Sequence, residues 1–377
     1  MRFELTDEQL QVEEMVRSLA RNEFAPKAAE IDEAARYPDE NMRRLAELGL
    51  LGMLFPAEYG GSETGAVAYG IAVREVAAAC ASTVVGMAVT NMVGEAIYRF
   101  GTAEQCRRHL PALSSGKGAG AFALTEPSAG SDAFAISTSA VPDGDSYVLN
   151  GAKAFITNGS RACVTIVMAV TRKAPKKEIS AFLVEPGTPG FSVGKLEHKM
   201  GLKGSDTVSL SFDGCRIPKE NMLGAPGEGF RIAMSTLDGG RIGISFQAIG
   251  IGRAALDTAV AYARERRQFG QAIGEFQAIQ WMIADAATEL DAAQLLAFRA
   301  ASLKEQGKPF TREASMAKVF STEAGNRACH KAVQILGGYG YIREYPVERH
   351  LRDVRVSTIY EGTSEIQRVV IARDLLR

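Results

Sequence analysis

Ser146-Tyr147-Val148-Leu149-Asn150-Gly151-Ala152-Lys153-Ala154-Phe155-Ile156-Thr157 is the stretch on which the fold turns. An Asn-Gly pair separates two runs rich in β-branched and aromatic residues. That is a strong hairpin signal, because both central residues of a type I′ turn need positive φ. The runs downstream agree. Cys163 to Val170 is rich in β-branched residues, and Ile179 to Val184, Gly187-Thr188-Pro189-Gly190 and Phe191-Ser192-Val193 read as strand, turn, strand. Thr207 to Phe212 alternates with period two. Short strands punctuated in this way predict a small antiparallel barrel or sandwich in the middle of the chain.

Both flanks read as helical. Thr6-x-x-Gln9 forms a capping-box pattern followed by Val12, Met15, Val16 and Leu19 at helical spacing. Pro38, Gly49, Gly60-Gly61 and Gly101 divide further helical segments up to about Leu113, and Ser114-Ser115-Gly116-Lys117-Gly118 reads as a connection. After Gly227 the helical period returns. Phe276, Ile279, Ile283, Leu290 and Ala297 share one face of a helix ended by Gly307 and Pro309. Thr311 is placed to cap the next helix, which Gly337-Gly338 stops. Long amphipathic helices with short loops predict an antiparallel bundle. The division is a helical domain over 1–117, a β domain over 118–226 and a helical domain over 227–377.

Composition narrows the function. The 377 residues are 46% hydrophobic and 23% charged, with a formal net charge of −1. That balance suits a large packed core and provides no global field for nucleic acid or an acidic membrane. No apolar run approaches the ~18 residues of a spanning helix. The acidic start Met1-Arg2-Phe3-Glu4-Leu5-Thr6-Asp7-Glu8-Gln9 has no signal-peptide or transit pattern, which fits a cytoplasmic protein or a processed form. Cys80, Cys106, Cys163, Cys215 and Cys329 are scattered and unpaired in pattern, reading as reduced, mostly buried thiols. His109, His198, His330 and His350 show no metal spacing.

Several segments can carry chemistry. Ile359-Tyr360-Glu361-Gly362-Thr363-Ser364-Glu365-Ile366-Gln367-Arg368 sets one carboxylate beside an apolar pair, a glycine turn and the polar start of a helix that Thr363 and Ser364 can cap. Such a carboxylate can act as a proton-abstracting base. Burial raises its pKa and a helix start lowers it, so the residues alone leave the sign open. Phe122-Ala123-Leu124-Thr125-Glu126-Pro127-Ser128-Ala129-Gly130-Ser131-Asp132 gathers hydroxyls and backbone donors suited to a flat heteroaromatic ring or to phosphate oxygens. Arg264, Arg266 and Arg267 read either as a solvated helix end or as a site for a cofactor diphosphate. Gln334 to Gly340 leaves backbone open at a helix C-terminus. Asp238 and Arg241 stand one helical turn apart, the spacing of a local ion pair.

Taken together, FALTEPSAGSDA, NGAKAFITNG, LDGGRIGIS, ARERRQFGQAIGEFQAIQ, QILGGYGY and IYEGTSEIQR, in that order, resemble the acyl-CoA dehydrogenase family, most closely its short-chain, butyryl-type branch. The resemblance spans essentially the whole chain. It implies an α+β multidomain subunit: an N-terminal helical domain, a middle antiparallel β-barrel domain and a C-terminal four-helix bundle. It also implies a homotetramer, a dimer of dimers, with one noncovalent FAD per subunit and electron-transfer flavoprotein as the electron acceptor.

The resemblance also assigns roles. Phe122, Leu124, Thr125, Gly130 and Ser131 match the loop lining the flavin, with Ser131 also at the thioester end of the substrate. Phe155, Ile156 and Thr157 match the segment against the isoalloxazine ring; many relatives have Trp where Phe155 stands, so the indole donor is lost here. Arg266, Phe269 and Gln277, with Gln334, Gly337 and Gly338, match residues reaching the FAD of a neighbouring subunit. Thr363 and Glu365 match its diphosphate and adenosine end. Asp238 and Arg241 match contacts to the CoA portion, with Tyr360 and Gly362 beside the substrate. Glu361 matches the catalytic base. The isovaleryl branch carries its base just before the arginine of LDGGR, where this chain has Gly240. The implied reaction is α,β-dehydrogenation of a short-chain acyl-CoA to the trans-2-enoyl-CoA. The alternatives are an acyl-CoA oxidase, a dehydrogenase of branched, alicyclic or dicarboxylic acyl-CoAs, and a DNA-associated relative without dehydrogenase activity. A dicarboxylic substrate would need a deep cation, for which Arg74 and Arg99 are the nearby candidates.

Overall fold

A computed structural model of the chain describes residues 4–376. The N-terminal part holds α1 (Asp7–Leu19), α2 (Ala28–Ala34), α3 (Asp39–Glu47), α4 (Gly65–Ala79), α5 (Ala81–Phe100) and α6 (Ala103–Ser114). The capping box at Thr6 forms as expected, and a second one starts α6 at Thr102 and Gln105. The middle part holds β1 (Ala119–Ala123), β2 (Ser139–Asp143), β3 (Ser146–Thr157), β4 (Ala162–Arg172), β5 (Glu178–Val184), β6 (Phe191–Leu196), β7 (Thr207–Pro218) and β8 (Met222–Leu223). Three long helices follow, α7 (Gly229–Glu265), α8 (Gln277–Glu305) and α9 (Thr311–Leu336), then α10 (Val347–Val354) and α11 (Ser364–Leu375). A small ribbon, β9 (Arg267–Gln268) and β10 (Gln271–Ala272), joins α7 to α8. Among the described residues, no helix is long and apolar enough to cross a membrane.

The sequence of helical, β and helical parts is as expected, but the middle sheet is not an antiparallel barrel. Its strands run in the order β6-β7-β3-β2-β4-β5-β8, with β1 beside β4, and the edge strands β6 and β8 do not pair. β1 lies parallel to β4, because a long loop and the β2–β3 hairpin intervene before the chain returns. β2 also touches β4 in parallel, at Ser139 and Val170. The mixed pairing suits β4, most of which is buried, since parallel strands need both faces covered.

The Asn150-Gly151 hairpin does not form. Both residues lie inside the continuous strand β3, at a break in its register with β7. Gly151 has φ of 147°, outside the left-handed well that a type I′ turn needs. The Asn150 Oδ1 instead accepts the Gly214 N–H at 2.8 Å, fixing a bulge. The tight turn is one step earlier, where Asp143 pairs with Ser146 around Gly144, whose φ is +58°. β5 and β6 likewise do not pair across their turn; they lie toward opposite ends of the sheet. Thr311 does not cap α9. It is the first helical residue, after Phe310, and its hydroxyl donates to Asp238 Oδ2 at 2.6 Å.

One apolar core runs through both helical parts, joining Ile71, Val73 and Val76 of α4 to Phe246 and Ile249 of α7 and to Ala297 and Ala317 beyond. A Cβ on Gly70 would fall 2.2 Å from the Phe246 ring, so the glycine permits α4 and α7 to close. The sheet is fastened to α5 through Asn158, whose Nδ2 donates to the Gly120 carbonyl at 3.0 Å and the Gly86 carbonyl at 3.2 Å. The five cysteines are free thiols, and all but Cys163 are buried.

Candidate active site

The turn before α11 is tightly held. Thr363 caps the helix, its hydroxyl accepting the Ile366 N–H at 3.3 Å. Glu361 has φ of 54° and Gly362 of 87°, two successive left-handed residues of which only the glycine adopts that well without cost. Strained side-chain-bearing residues of this kind persist where their surroundings hold them, most often at functional sites. Here the holding groups are explicit. Gln367 Nε2 donates to the Glu361 carbonyl at 3.2 Å and to the Gly362 carbonyl at 2.9 Å. Lys318 Nζ donates to the same Gly362 carbonyl at 2.7 Å. Tyr360 donates its hydroxyl to Gln247 Oε1 at 2.7 Å.

The turn aims the Glu361 side chain between α5 and α7. Its Oε2 is sealed from solvent and has no hydrogen-bond partner among the described residues. Burial pushes the carboxyl up to about 7, with Arg241 and then Lys318 pulling it back. The sign that the residues left open is therefore upward. Gly240 lies directly against the group: a Cβ there would fall 2.5 Å from Oε2 and 3.0 Å from Met92 Sδ. Arg241 Nη1 donates to Asp238 Oδ1 at 2.6 Å and to Ser315 Oγ at 3.3 Å, so the local ion pair expected from spacing is present. Burial raises the Asp238 carboxyl and Arg241 opposes it. Arg241 Nε, Gln247 Nε2, Ser364 Oγ and Gln367 Oε1 around the same turn are also buried without hydrogen-bond partners among the described residues.

A second group forms in the middle domain. Phe155 sits at the bulge of β3 with φ of 57° and its ring 65% exposed, while Ile156 is buried behind it. Ala154 N–H donates to the Thr125 carbonyl at 2.9 Å, so the loop bearing Leu124, Thr125, Gly130 and Ser131 is joined to the strand bearing Phe155 and Thr157. The joint is locked from below by a buried ion pair. Lys153 Nζ donates to Glu126 Oε1 at 2.8 Å and to the Leu124 carbonyl at 3.0 Å. Glu126 also accepts from Ser137 N at 2.7 Å and Thr138 N at 2.9 Å. Burial would raise the Glu126 carboxyl, but Lys153, Thr138 and Ser137 bring it down to about 2. Lys153→Met is expected to cost about 3–5 kcal/mol, because it strands the Glu126 charge in the interior. Calorimetry should show a lowered Tm.

The remaining positions lie elsewhere. Thr363 and Glu365 line a cavity of about 460 Å³ with Arg327, Arg355, Thr358 and Ser364. Arg266, Gly337 and Gly338 line another of about 460 Å³, walled by Tyr262 and Tyr339. Phe269 beside it is 94% exposed, and Gln277 and Gln334 are exposed as well. Arg266, the residue just after α7, is 25 residues on from Arg241, about 38 Å at 1.5 Å per residue. This group is therefore remote from Glu361 within one subunit. Neither arginine proposed for a distal carboxylate stands ready: Arg74 is buried against Glu13, Glu75 and Gln294, and Arg99 is partly exposed with Glu95 at 3.9 Å. The residues that the sequence did not single out include Lys153, Lys318, Gln367, Gln247 and Met92. Lys318 left a trace, as a cation on a face of α9 that also carries Ala314, Ala317, Ser321 and Ala324.

Comparison with known proteins assigns the family. Models of the acyl-CoA dehydrogenase N-terminal, middle and C-terminal domains match residues 6–117, 121–215 and 227–376. The chain belongs to the acyl-CoA dehydrogenase family. It is 49% identical to the short-chain specific acyl-CoA dehydrogenase of mouse mitochondria, over 99% of this chain and 91% of that protein. Its structure superposes on butyryl-CoA dehydrogenase from Megasphaera elsdenii with a TM-score of 0.97 at 44% identity, covering both chains in full. A chain from a study of the electron transferring flavoprotein of Acidaminococcus fermentans gives 0.98 at 46%, again over both chains.

As an acyl-CoA dehydrogenase the protein is a flavin-dependent oxidoreductase, and its residues fit FAD. The start of α11, Arg327 and Arg355 line one cavity together with the carboxylates Glu323 and Glu365, and the helix start with its two guanidinium groups suits a diphosphate. The exposed Phe155 ring on its strained bulge provides an aromatic face for a flat heterocycle.

Proposed function

We propose that this acyl-CoA dehydrogenase oxidises short-chain, butyryl-type acyl-CoA thioesters to the trans-2-enoyl-CoA, with Glu361 as the base. The observation that carries the reading is the buried, unpartnered Glu361 Oε2 on a left-handed turn against Gly240. When bound, FAD supplies the acceptor for the hydride equivalent that leaves the β-carbon. Glu361 takes the α-proton. Charge then develops on the thioester oxygen, and among the described residues no group accepts the Glu361 N–H, leaving it to donate there. Asp238 and Arg241 orient the CoA portion, with Ser131, Tyr360 and Gly362 along the thioester. Phe122, Leu124, Thr125, Gly130, Phe155, Ile156, Thr157, Thr363 and Glu365 hold the flavin of their own subunit.

The exposed Phe269 and Tyr341 rings and the cavity at Arg266 support assembly with further copies, in which Arg266, Phe269, Gln277, Gln334, Gly337 and Gly338 complete a neighbour's FAD site in a homotetramer. Electron-transfer flavoprotein is the acceptor in this reading, the domains divide near 117 and 226, and the site of action is the bacterial cytoplasm or, for a processed form, the mitochondrial matrix.

Anaerobic mixing of the yellow holoenzyme with a panel of saturated acyl-CoAs tests the substrate. Bleaching should be fastest with four-carbon chains; preference for long or branched chains overturns the assignment. The pH profile tests the base. With the carboxyl held up to about 7 and the carboxylate the active form, the bleaching rate should rise about tenfold per unit below pH 7 and level off above it.

A further inference from the structure

Lys318 is a cation with no ordinary reason to be where it is. It is fully buried, and among the described residues no carboxylate lies within ion-pair distance of its ammonium. Its one hydrogen bond goes to the Gly362 carbonyl, the residue after the base. A buried charge without a partner is destabilising, so a compensating interaction must operate over a longer range. Burial pushes the ammonium down to about 8, and the Glu361 charge is the largest influence raising it again, against Arg241.

The other groups facing Glu361 do not duplicate this one. On α7, Arg241 is paired with Asp238. On α4, burial raises the Tyr69 phenol, as do Glu95 and Glu361, and burial likewise raises Tyr360 beside the base, so both are neutral. Glu323 on α9 and Glu365 on α11 raise Lys318 less than Glu361 does, Glu323 being paired with Arg368. α5 presents the uncharged Met92.

We propose that Lys318 is a positioning residue for the base: through the Gly362 carbonyl it holds the left-handed turn that presents the Glu361 carboxylate and N–H, and its charge favours the ionised carboxylate. This rests on the reading of Glu361 as base. It distinguishes Lys318 from Gln367, which braces the same carbonyl without a charge.

Three variants in the FAD-loaded full chain separate the parts. Lys318→Gln keeps a donor to Gly362 and loses the charge, Lys318→Met loses both, and Lys318→Arg keeps both in altered geometry. The acid limb of anaerobic bleaching should move up by at least one pH unit in Lys318→Gln, a tenfold or greater loss at pH 6, with the alkaline plateau within threefold of the parent. Lys318→Met should show the same displacement and a lower plateau, and Lys318→Arg should return the limb toward the parent. Difference infrared titration of the Glu361 carboxyl band, assigned by its absence in Glu361→Gln, should move in parallel and does not depend on turnover. Folded Lys318→Gln with an unshifted limb and an unshifted carboxyl band overturns the proposal, whatever its Tm. If Lys318→Met does not fold, Lys318→Gln still decides. Bleaching of Glu361→Gln at the parent rate overturns instead the assignment of the base, a result that Lys318 variants cannot produce.

Discussion

Glu361→Gln should bleach its flavin with short acyl-CoA about 10³- to 10⁴-fold more slowly than the parent, the range expected for loss of a positioned general base. The substitution is nearly isosteric, and glutamine meets the same left-handed backbone at φ of 54° that glutamate already occupies. The hydrogen bonds that hold the turn run to the backbone carbonyls of Glu361 and Gly362, so they survive. The variant should therefore be yellow, folded and inert, and rapid bleaching would remove Glu361 from the mechanism. Stability should move the other way. Because the carboxyl is raised from 4.5 to about 7, folding binds its proton more tightly than the unfolded chain does. The stability associated with that proton is present below pH 4.5 and is lost as pH rises through 7. At pH 8 the parent holds a buried carboxylate that glutamine does not, so the variant's Tm should equal or exceed the parent's there, and the difference should shrink on acidification. Scanning calorimetry at pH 8 and pH 5 checks the sign.

Patterns that repeat along the chain could be read; features set by a single residue or by long-range pairing could not. The order of helical, β and helical parts came from periodicity over many residues, and the cap at Thr6 from a local rule that needs no tertiary context. Asn150-Gly151 shows the limit. Asn-Gly favours a turn locally, but pairing with β7 on one side and β2 on the other keeps β3 straight, and the pair makes a bulge instead. The parallel contact of β1 with β4 was hidden for a related reason: strand direction depends on the path of a loop, which alternation does not report. At the site, Glu361 was conspicuous because its neighbours Gly362 and Thr363 have distinctive conformational roles. Lys153 and Lys318 were not, because a lysine in a strand or helix is normally solvated; only the burial of all surrounding positions marks it as internal.

Gly240 yields the sharpest test of how the site is built. A Cβ at that position would fall 2.5 Å from Glu361 Oε2, closer than side-chain carbons approach such an atom, and a tight 3.0 Å from Met92 Sδ. Gly240 is flanked by Gly239 and Arg241 within α7, where alanine is otherwise the better helix former by about 1 kcal/mol. An exposed Gly→Ala change there would stabilise the helix. Here Gly240→Ala should instead displace the carboxylate, and because a base misplaced by about 1 Å loses on the order of 10²-fold, bleaching should slow by about that factor while FAD stays bound. A parent-like rate would mean that the Glu361 side chain has another productive position. The converse change moves the base across the gap. In Gly240→Glu with Glu361→Gly, the new carboxylate starts from the side that now crowds Oε2, and glycine at 361 relieves the strain of φ at 54°. The double variant should recover at least tenfold over Glu361→Gly alone, whereas Gly240→Glu alone should be nearly inactive, since two carboxylates would share one buried space. The acid limb of the double variant should also shift from pH 7, because the relocated group stands at a different distance from Arg241 and Lys318. Recovery without such a shift would show that the surroundings of Glu361, rather than its own place on the turn, set its proton affinity.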